Sequence, residues 1–413
     1  MNLIQLEIEA LSPLAIGRHK PGGSISEAQD YIPGSVIRGA FASVLLQPNQ
    51  QPESNDDFHA LFLNENSAIF QNAYPAILKE GKKVPADKEI AVLPATVLSS
   101  KAKPGFKDKG NGVFDTLIDR FCAEDYGQLY DPNCPPNFDR VDNFSGFYCK
   151  IYDKYHPLSA NKRLLTRVGI NRKRATAEES ILYSIEVLNE SQPKKEKPSI
   201  YRGAILVPDK ELAGKLLGFI NNHNESFRLG GSTSRGLGKV KIKAECRKKS
   251  DSVKDRIKQF NAKLKERWQL WGSLFIPASE KYSQERTYFT LDLQSDAILT
   301  ENWRRTTVIS EAMLKEFAGI KDSEDSSLKL EVAYSSYDYY SGWNAAWGLM
   351  KDVELVTNKG GVYLFSISKT QTQTWYSALE ILENKGVGER TNEGFGQVQI
   401  CNEFHLVFRE KAV

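Results

Sequence analysis

The residues best equipped for chemistry sit in one stretch, Gly230-Gly231-Ser232-Thr233-Ser234-Arg235-Gly236-Leu237-Gly238-Lys239-Val240. Gly230, Gly231, Gly236 and Gly238 carry no Cβ, so backbone N–H groups there can approach an anion unobstructed. Ser232, Thr233 and Ser234 add hydroxyl donors, and Arg235 adds a charge-assisted one. Such a set is suited to holding a phosphodiester. A second polar loop, Leu11–Ser24, brings Gly17, Arg18, His19 and Lys20. His19 is the residue type for metal-free general acid–base cleavage, with Arg18 and Lys20 as phosphate partners. No second histidine lies near it, and the chain has 5 in all, so a binding contact is the simpler reading. No Walker loop and no Ser/His/Asp arrangement is evident. Cys122, Cys134 and Cys149 lack a Cys-x-x-Cys pair to anchor a zinc site, so no metal and no cofactor are expected.

The first loop has a copy. Gly388-Glu389-Arg390-Thr391-Asn392-Glu393-Gly394-Phe395-Gly396-Gln397-Val398 repeats its glycines at an offset of 158 residues, Gly230 to Gly388. Upstream, strand-like Tyr201–Val207 faces strand-like Lys359–Phe365 at the same offset, and helical segments follow at Asp209–Asn222 and Thr372–Asn384. Strand, helix, glycine loop and strand are therefore expected twice, without a gap.

These loops need elements to hold them. Residues 2–10 alternate as a strand. Ser35 reads as the N-cap of a helix from Val36 to Leu46, with Arg38 in its first turns; the N-terminus of that helix is an anion site by its dipole. Residues 79–160 are rich in Pro, Gly, Asp and Asn and read as an irregular insertion. Lys162, Arg163, Arg167, Arg172, Lys173 and Arg174 crowd one stretch, either a solvated loop or a nucleic-acid contact. Val253, Ile257, Phe260, Leu264 and Trp268 recur at helical spacing, predicting an amphipathic helix between two domains. Tyr334, Tyr337, Tyr339, Tyr340, Trp343 and Trp347 read first as core, with base stacking as the alternative. Each half follows a β–α–(β…β)–α–glycine loop–β order, which predicts an α+β fold of two tandem ferredoxin-like (βαββαβ, RRM-like) units.

At 413 residues the chain is long enough for two domains, and its 40% hydrophobic and 26% charged content is that of a globular protein. A net charge of +3 means that a polyanion must meet local basic patches. Five scattered cysteines argue against a disulfide framework. No run is long enough to span a membrane, and no signal peptide is evident, so a cytoplasmic location is expected.

Tandem units closing on loops of the form G-x(5)-G-x-G-x-V resemble the RAMP superfamily of CRISPR effector subunits. Ser12-Pro13-Leu14-x-Ile16-Gly17, followed by Asp30-Tyr31-Ile32-Pro33-Gly34-Ser35-x-x-Arg38-Gly39-Ala40, is similar to that family's opening segment. The stretch Gly386–Gly396 resembles the ending of the Csx-ten type RAMP protein of type III-D systems. Val168–Arg172 and Thr176–Tyr183 fit that type as well. Relatives often carry a Cys-x-x-Cys where this chain reads Cys122-Ala123-Glu124-Asp125.

The resemblance implies a non-catalytic RNA-binding subunit of a type III complex, of the Cas-five-like group. It would cap the repeat-derived 5′ tag of the crRNA beside the large polymerase-domain subunit. Backbone RAMP subunits would be neighbours and target RNA an indirect partner, with no membrane involved. RNA contacts are expected at Gly17, Arg18, His19, Lys20, Ser35, Arg38, Gly230, Gly231, Ser232, Thr233, Ser234, Arg235, Gly236, Gly238 and Arg390. The alternatives are a metal-independent endoribonuclease for precursor crRNA through His19, or a backbone subunit cleaving target RNA through Asp30. Expected domains are 1–245 with the insertion at about 79–160, a helical linker over 246–285, and 286–413.

Overall fold

The computed structural model describes all residues except 19–26, 47–55, 79–80, 172–173, 175, 193–196, 248–251, 280, 322–324 and 345–346; for 18, 171 and 176–181 it describes the backbone alone. In chain order the main elements of the first half are β1 (Asn2–Ala10), α1 (Gly34–Leu45), α2 (Asp57–Phe62), β2 (Ile69–Phe70), α3 (Leu117–Asp125), β3 (Lys162–Asn171), β4 (Thr176–Leu188), β5 (Ile200–Val207), α4 (Lys210–Asn222) and β6 (Val240–Arg247). Then come α5 (Val253–Gly272), β7 (Arg286–Leu293), α6 (Glu311–Ala318), β8 (Lys329–Tyr334), β9 (Val362–Ser368), α7 (Thr372–Lys385) and β10 (Val398–Ile400). The fold is mixed α+β with antiparallel sheets.

The first sheet runs β6-β1-β5-β2 and the second β10-β7-β9-β8. Both therefore place their own fourth, first, third and second strands side by side, and every pairing is antiparallel. The alternation in β1 explains its placement: Ile4, Leu6, Ile8 and Ala10 are buried while the residues between them are not. Those four pack with Phe41 of α1 and with Leu216 and Ile220 of α4. A slip of one residue would turn all of them to the other face, so the register is firmly specified. Asp209 caps α4 by accepting from the Leu212 N–H at 2.7 Å, and Ser310 caps α6 through the Met313 N–H at 3.2 Å.

The helix expected to link the halves forms over Val253–Gly272, but it is built into the second half. Val253, Ile257, Phe260 and Leu264 share one cluster with Leu291, Leu364 and Trp375. Leu117 and Phe121 of α3, which belongs to the insertion, join the same cluster. The insertion is not irregular: it contains two three-stranded sheets as well as α3. Its strands are three to five residues long, too short to show a period. It also ties the halves together, through the Ala95 N–H to Gly360 O at 2.7 Å and the Val92 N–H to Gln294 Oε1 at 2.8 Å.

Each half carries a β-hairpin between its second and third sheet strands. In the first, β3 pairs with β4, with a bulge between Val168 and Ile170. In the second, Tyr337–Tyr340 pairs with Glu354–Thr357 and Trp343–Asn344 pairs with Leu349–Met350. Core packing was the first reading for this aromatic stretch, and the structure corrects it in part: Tyr334 does pack against the core of the second half. Tyr337, Tyr339, Trp343 and Trp347 are exposed, because the hairpin projects from the sheet; Tyr340 turns inward onto Phe395 at 5.1 Å. Among the described residues, no helix is long and apolar enough to cross a membrane.

Candidate nucleic-acid interface

The two glycine loops share one backbone conformation. Each contains a short 3-10 turn, Thr233–Arg235 and Thr391–Glu393. Ser232 enters the first turn at φ 58°, ψ 31°, and Arg390 enters the second at φ 55°, ψ 34°. Gly236 leaves at φ 83°, ψ 12° and Gly394 at φ 93°, ψ 8°, the left-handed region that glycine adopts without penalty. The same bonds frame both loops. Gly231 N–H donates to Ala15 O at 2.8 Å and Glu389 N–H to Ile298 O at 2.9 Å; Gly238 N–H and Gly396 N–H donate to Pro13 O and Asp296 O, both at 2.9 Å. Ser12 Oγ accepts from the Lys239 N–H and Ser295 Oγ from the Gln397 N–H, both at 2.8 Å.

The repeat is thus physical, though its offset is not constant. Ile8 pairs with Ile242 and Leu291 with Ile400, which makes Ile8 and Leu291 equivalent. Four residues earlier, Ile4 pairs with Ile205 and Thr287 with Ile367. The third strands are therefore offset by 162 residues and the loops by 158. The difference is lost after the helix, where Asn222 precedes Gly230 in one half and Lys385 precedes Gly388 in the other.

The glycine N–H groups are not a free anion cradle. Those of Gly231, Gly236 and Gly238 bond within the fold. The glycines serve close approach instead: a Cβ on Gly230 would lie 2.5 Å from Ala15 O. What the first loop offers outward is its side chains, with Thr233, Ser234 and Arg235 exposed and Ser232 partly so. Arg235 reaches the hairpin: its Nη1 donates to Tyr183 Oη at 2.6 Å, and its guanidinium lies 5.9 Å from the Tyr183 ring centroid. Arg167 Nη1 donates to Arg235 O at 3.2 Å. Gly17 and Arg18 pair with Ala28 and Glu27 on the strand leading out of Ala15. The Arg18 side chain, His19, Lys20, Arg172 and Lys173 lie outside the described residues.

The base of the hairpin is stitched by charge. Lys162 Nζ sits 2.5 Å from Asp30 Oδ1 and 3.8 Å from Glu186 Oε2, and donates to Ala28 O at 2.7 Å. Arg163 pairs with Glu190 at 2.9 Å.

The second loop faces inward and gathers the remaining candidates. Helix α1 has Pro33, not Ser35, at its N-cap position, and Asn72 Oδ1 accepts the Gly34 N–H at 2.7 Å. A Cβ on Gly394 would lie 2.8 Å from that Asn72 Oδ1 and 2.9 Å from Phe70 O. The helix N-terminus expected as an open anion site is thus packed against the other half. Arg38 Nη2 donates to Phe62 O at 2.5 Å; burial lowers its pKa, and the Glu393 carboxylate opposes that. Arg390 pairs with Glu393 at 2.6 Å and lies 5.1 Å from the Phe395 ring centroid. Ser35 contacts Tyr340 through its side chain. Ser35, Arg38 and Arg390 therefore surround the second loop, while Gly17, Arg18 and residues 230–238 belong to the first.

A family model described as the RAMP superfamily matches residues 7–241, more than half of the chain. The chain belongs to the RAMP superfamily. The matched span of this RAMP protein includes the hairpin, the insertion and the first glycine loop. No curated protein matches it. Among solved structures, similarity is found to a chain of the type III-B Cmr-beta complex bound to cognate target RNA and AMPPnP, at 13% identity and a TM-score of 0.37, covering 92% of this chain and 89% of that one. A chain of the same complex bound to cognate target RNA matches at 12% identity and a TM-score of 0.37, covering 91% and 93%.

Sequence reasoning did not single out Tyr183, which entered only as the end of the stretch Thr176–Tyr183. Arg167 was visible as one of six clustered cations, and the structure distinguishes it from Lys162 and Arg163 by its contact with the loop. The three cysteines of the RAMP insertion fall in three separate clusters of the core. Burial pushes the Cys149 thiol up to about 11 and raises Cys122 and Cys134 as well.

Proposed function

We propose that this RAMP protein is a non-catalytic RNA-binding subunit of a type III CRISPR RNA-guided effector complex. In this reading it is of the Csx-ten type within the Cas-five-like group and works in the cytoplasm. It caps the repeat-derived 5′ tag of the crRNA and contacts the large polymerase-domain subunit, with backbone RAMP subunits alongside. The observation that carries the RNA reading is the surface where Arg235, Tyr183 and Arg167 meet beside exposed Thr233 and Ser234. A guanidinium over an aromatic ring, with hydroxyls beside it, suits a phosphate and the 2′-OH of a single strand. The fourth-first-third-second strand order in both sheets supports reading them as tandem ferredoxin-like units. The subtype rests on the sequence motifs.

The experiment is incubation of the protein with precursor crRNA in the absence of metal beside a His19→Ala variant, and with target RNA beside an Asp30→Ala variant. RNA bound and left intact is the expected result. Cleavage by the wild type that either variant abolishes would overturn the non-catalytic part of the reading.

A further inference from the structure

The hairpins of the two halves occupy the same place in their sheets and differ in charge. Residues 162–188 of the first carry six cations against Glu178, Glu179 and Glu186. Residues 337–357 of the second carry one cation, Lys351, against Asp338, Asp352 and Glu354. Side chains alternate across the strands of the second hairpin. Tyr340 and buried Val356 turn to the second glycine loop and cluster with Phe395 there. Tyr337 and Tyr339 therefore share the opposite face, with their rings edge to face at 6.3 Å. Farther out Trp343 stands opposite Met350, and Trp347 and Leu349 flank the turn. Each of these six side chains is more than half exposed.

A shorter hairpin adjoins this one. Leu299–Glu301 pairs with Arg304–Thr306, and Arg305 meets Glu354 at 2.7 Å. Its turn holds Asn302 and Trp303 at φ 50° and 65°. A left-handed backbone is costly for a bulky residue, and fully exposed Trp303 buries nothing in return. Of the three cations of the two hairpins, Lys351 pairs with Glu393 and Arg305 with Glu354 and Glu389, while Arg304 has no ion pair among the described residues.

We propose, on the reading above that the chain is a subunit of a complex, that the aromatic hairpin is a docking arm for another protein. That partner offers an apolar groove with a lysine or arginine at its rim. Tryptophan, tyrosine and methionine are enriched where proteins meet, and the first two dominate the energetics of such contacts. Soluble proteins rarely leave so many apolar side chains together in water. Nucleic acid fits the arm poorly, because phosphate contacts need cations and the arm's single lysine is already paired. Glu354 is held by Arg305, and Asp338 accepts the Tyr339 N–H at 2.8 Å. Exposed Asp352 is the carboxylate that calls for a cation on the partner. The two hairpins of a duplicated fold have in this way taken different partners.

The test uses the full chain, produced together with the other subunits of its complex and crRNA. A benzophenone-bearing phenylalanine in place of Tyr339 crosslinks on irradiation to a protein subunit, at a site lined by apolar residues. Tyr339→Ser combined with Trp343→Ser lowers the amount of the chain in the purified complex by about tenfold or more, while its crRNA affinity in filter binding stays within about twofold. Both side chains are exposed, so the variant keeps its fold, as its urea midpoint checks. Crosslinking to RNA would overturn the proposal in favour of base stacking. Crosslinking to a second copy of the chain, or full incorporation of the double variant, would overturn it as well. A wild-type chain that enters no complex would overturn the subunit reading itself, a result distinct from wild type and variant entering equally.

Discussion

Consider alanine at two equivalent glycines, Gly236 and Gly394. Their dihedrals differ by 10° in φ and 4° in ψ, so the backbone strain on adding a Cβ is nearly the same, about 1–2 kcal/mol. The surroundings differ. A Cβ on Gly236 meets nothing within 4 Å, and Gly236→Ala should cost that strain alone. A Cβ on Gly394 meets Asn72 Oδ1 at 2.8 Å, Phe70 O at 2.9 Å and Gly34 Cα at 3.1 Å. Two of those are backbone, and the third holds the Gly34 N–H at the start of α1. Overpacking of this kind adds about 1–3 kcal/mol, and a weakened bond to Gly34 adds about 1 kcal/mol. Gly394→Ala should therefore cost about 3–6 kcal/mol, some 2–4 kcal/mol more than its counterpart. Urea titration of both variants against wild type, followed by circular dichroism, measures the gap. Losses equal within about 0.5 kcal/mol, or a larger loss at Gly236, would refute the claim that the two loops have different jobs.

Two further expectations follow from buried charge, and a third concerns the cysteines. His405 lies 2.8 Å from Asp292 and 3.2 Å from Asp115; burial lowers its pKa, but the Asp292 and Asp115 carboxylates prevail and raise it to about 10. Its contribution to stability is thus complete below its ordinary value of 6.5 and is lost as pH rises through about 10, so the stability gap between wild type and His405→Gln should shrink over that window. A gap that stays constant from pH 6 to 10.5 would contradict this. Glu383→Ala removes the carboxylate that pairs with buried Arg256 and should cost about 3–5 kcal/mol, whereas Arg256→Met combined with Glu383→Leu should cost clearly less; equal urea midpoints would count against the pairing. Metal analysis should find well under one zinc per chain, and stoichiometric zinc lost on Cys122→Ser or Cys149→Ser would overturn that.

Much of the sheet framework was legible because its signals are local. The alternation of β1, the helical run of α4 and the 3.6-residue spacing of α5 each specify an element without help from distant residues. The glycine loops were legible because a left-handed backbone demands glycine at the same places twice. What each loop touches was not. Gly236 faces open space and Gly394 faces Asn72, and nothing within either loop distinguishes them. Strand β3 read as a charged stretch because its pattern is completed by β4, across the hairpin turn. The insertion was missed because its strands are very short and are stabilised by pairing and by contacts with the second half.

The most direct test of the RNA-binding account is filter binding of crRNA to wild type and Arg235→Ala across a salt series, with circular dichroism on both. The account predicts an intact fold, affinity weakened by about 1–2 kcal/mol and a shallower dependence on salt, because one phosphate contact is removed. An Arg235→Ala protein whose binding curve and salt slope match wild type would contradict the assignment of the first glycine loop and its hairpin as the RNA contact.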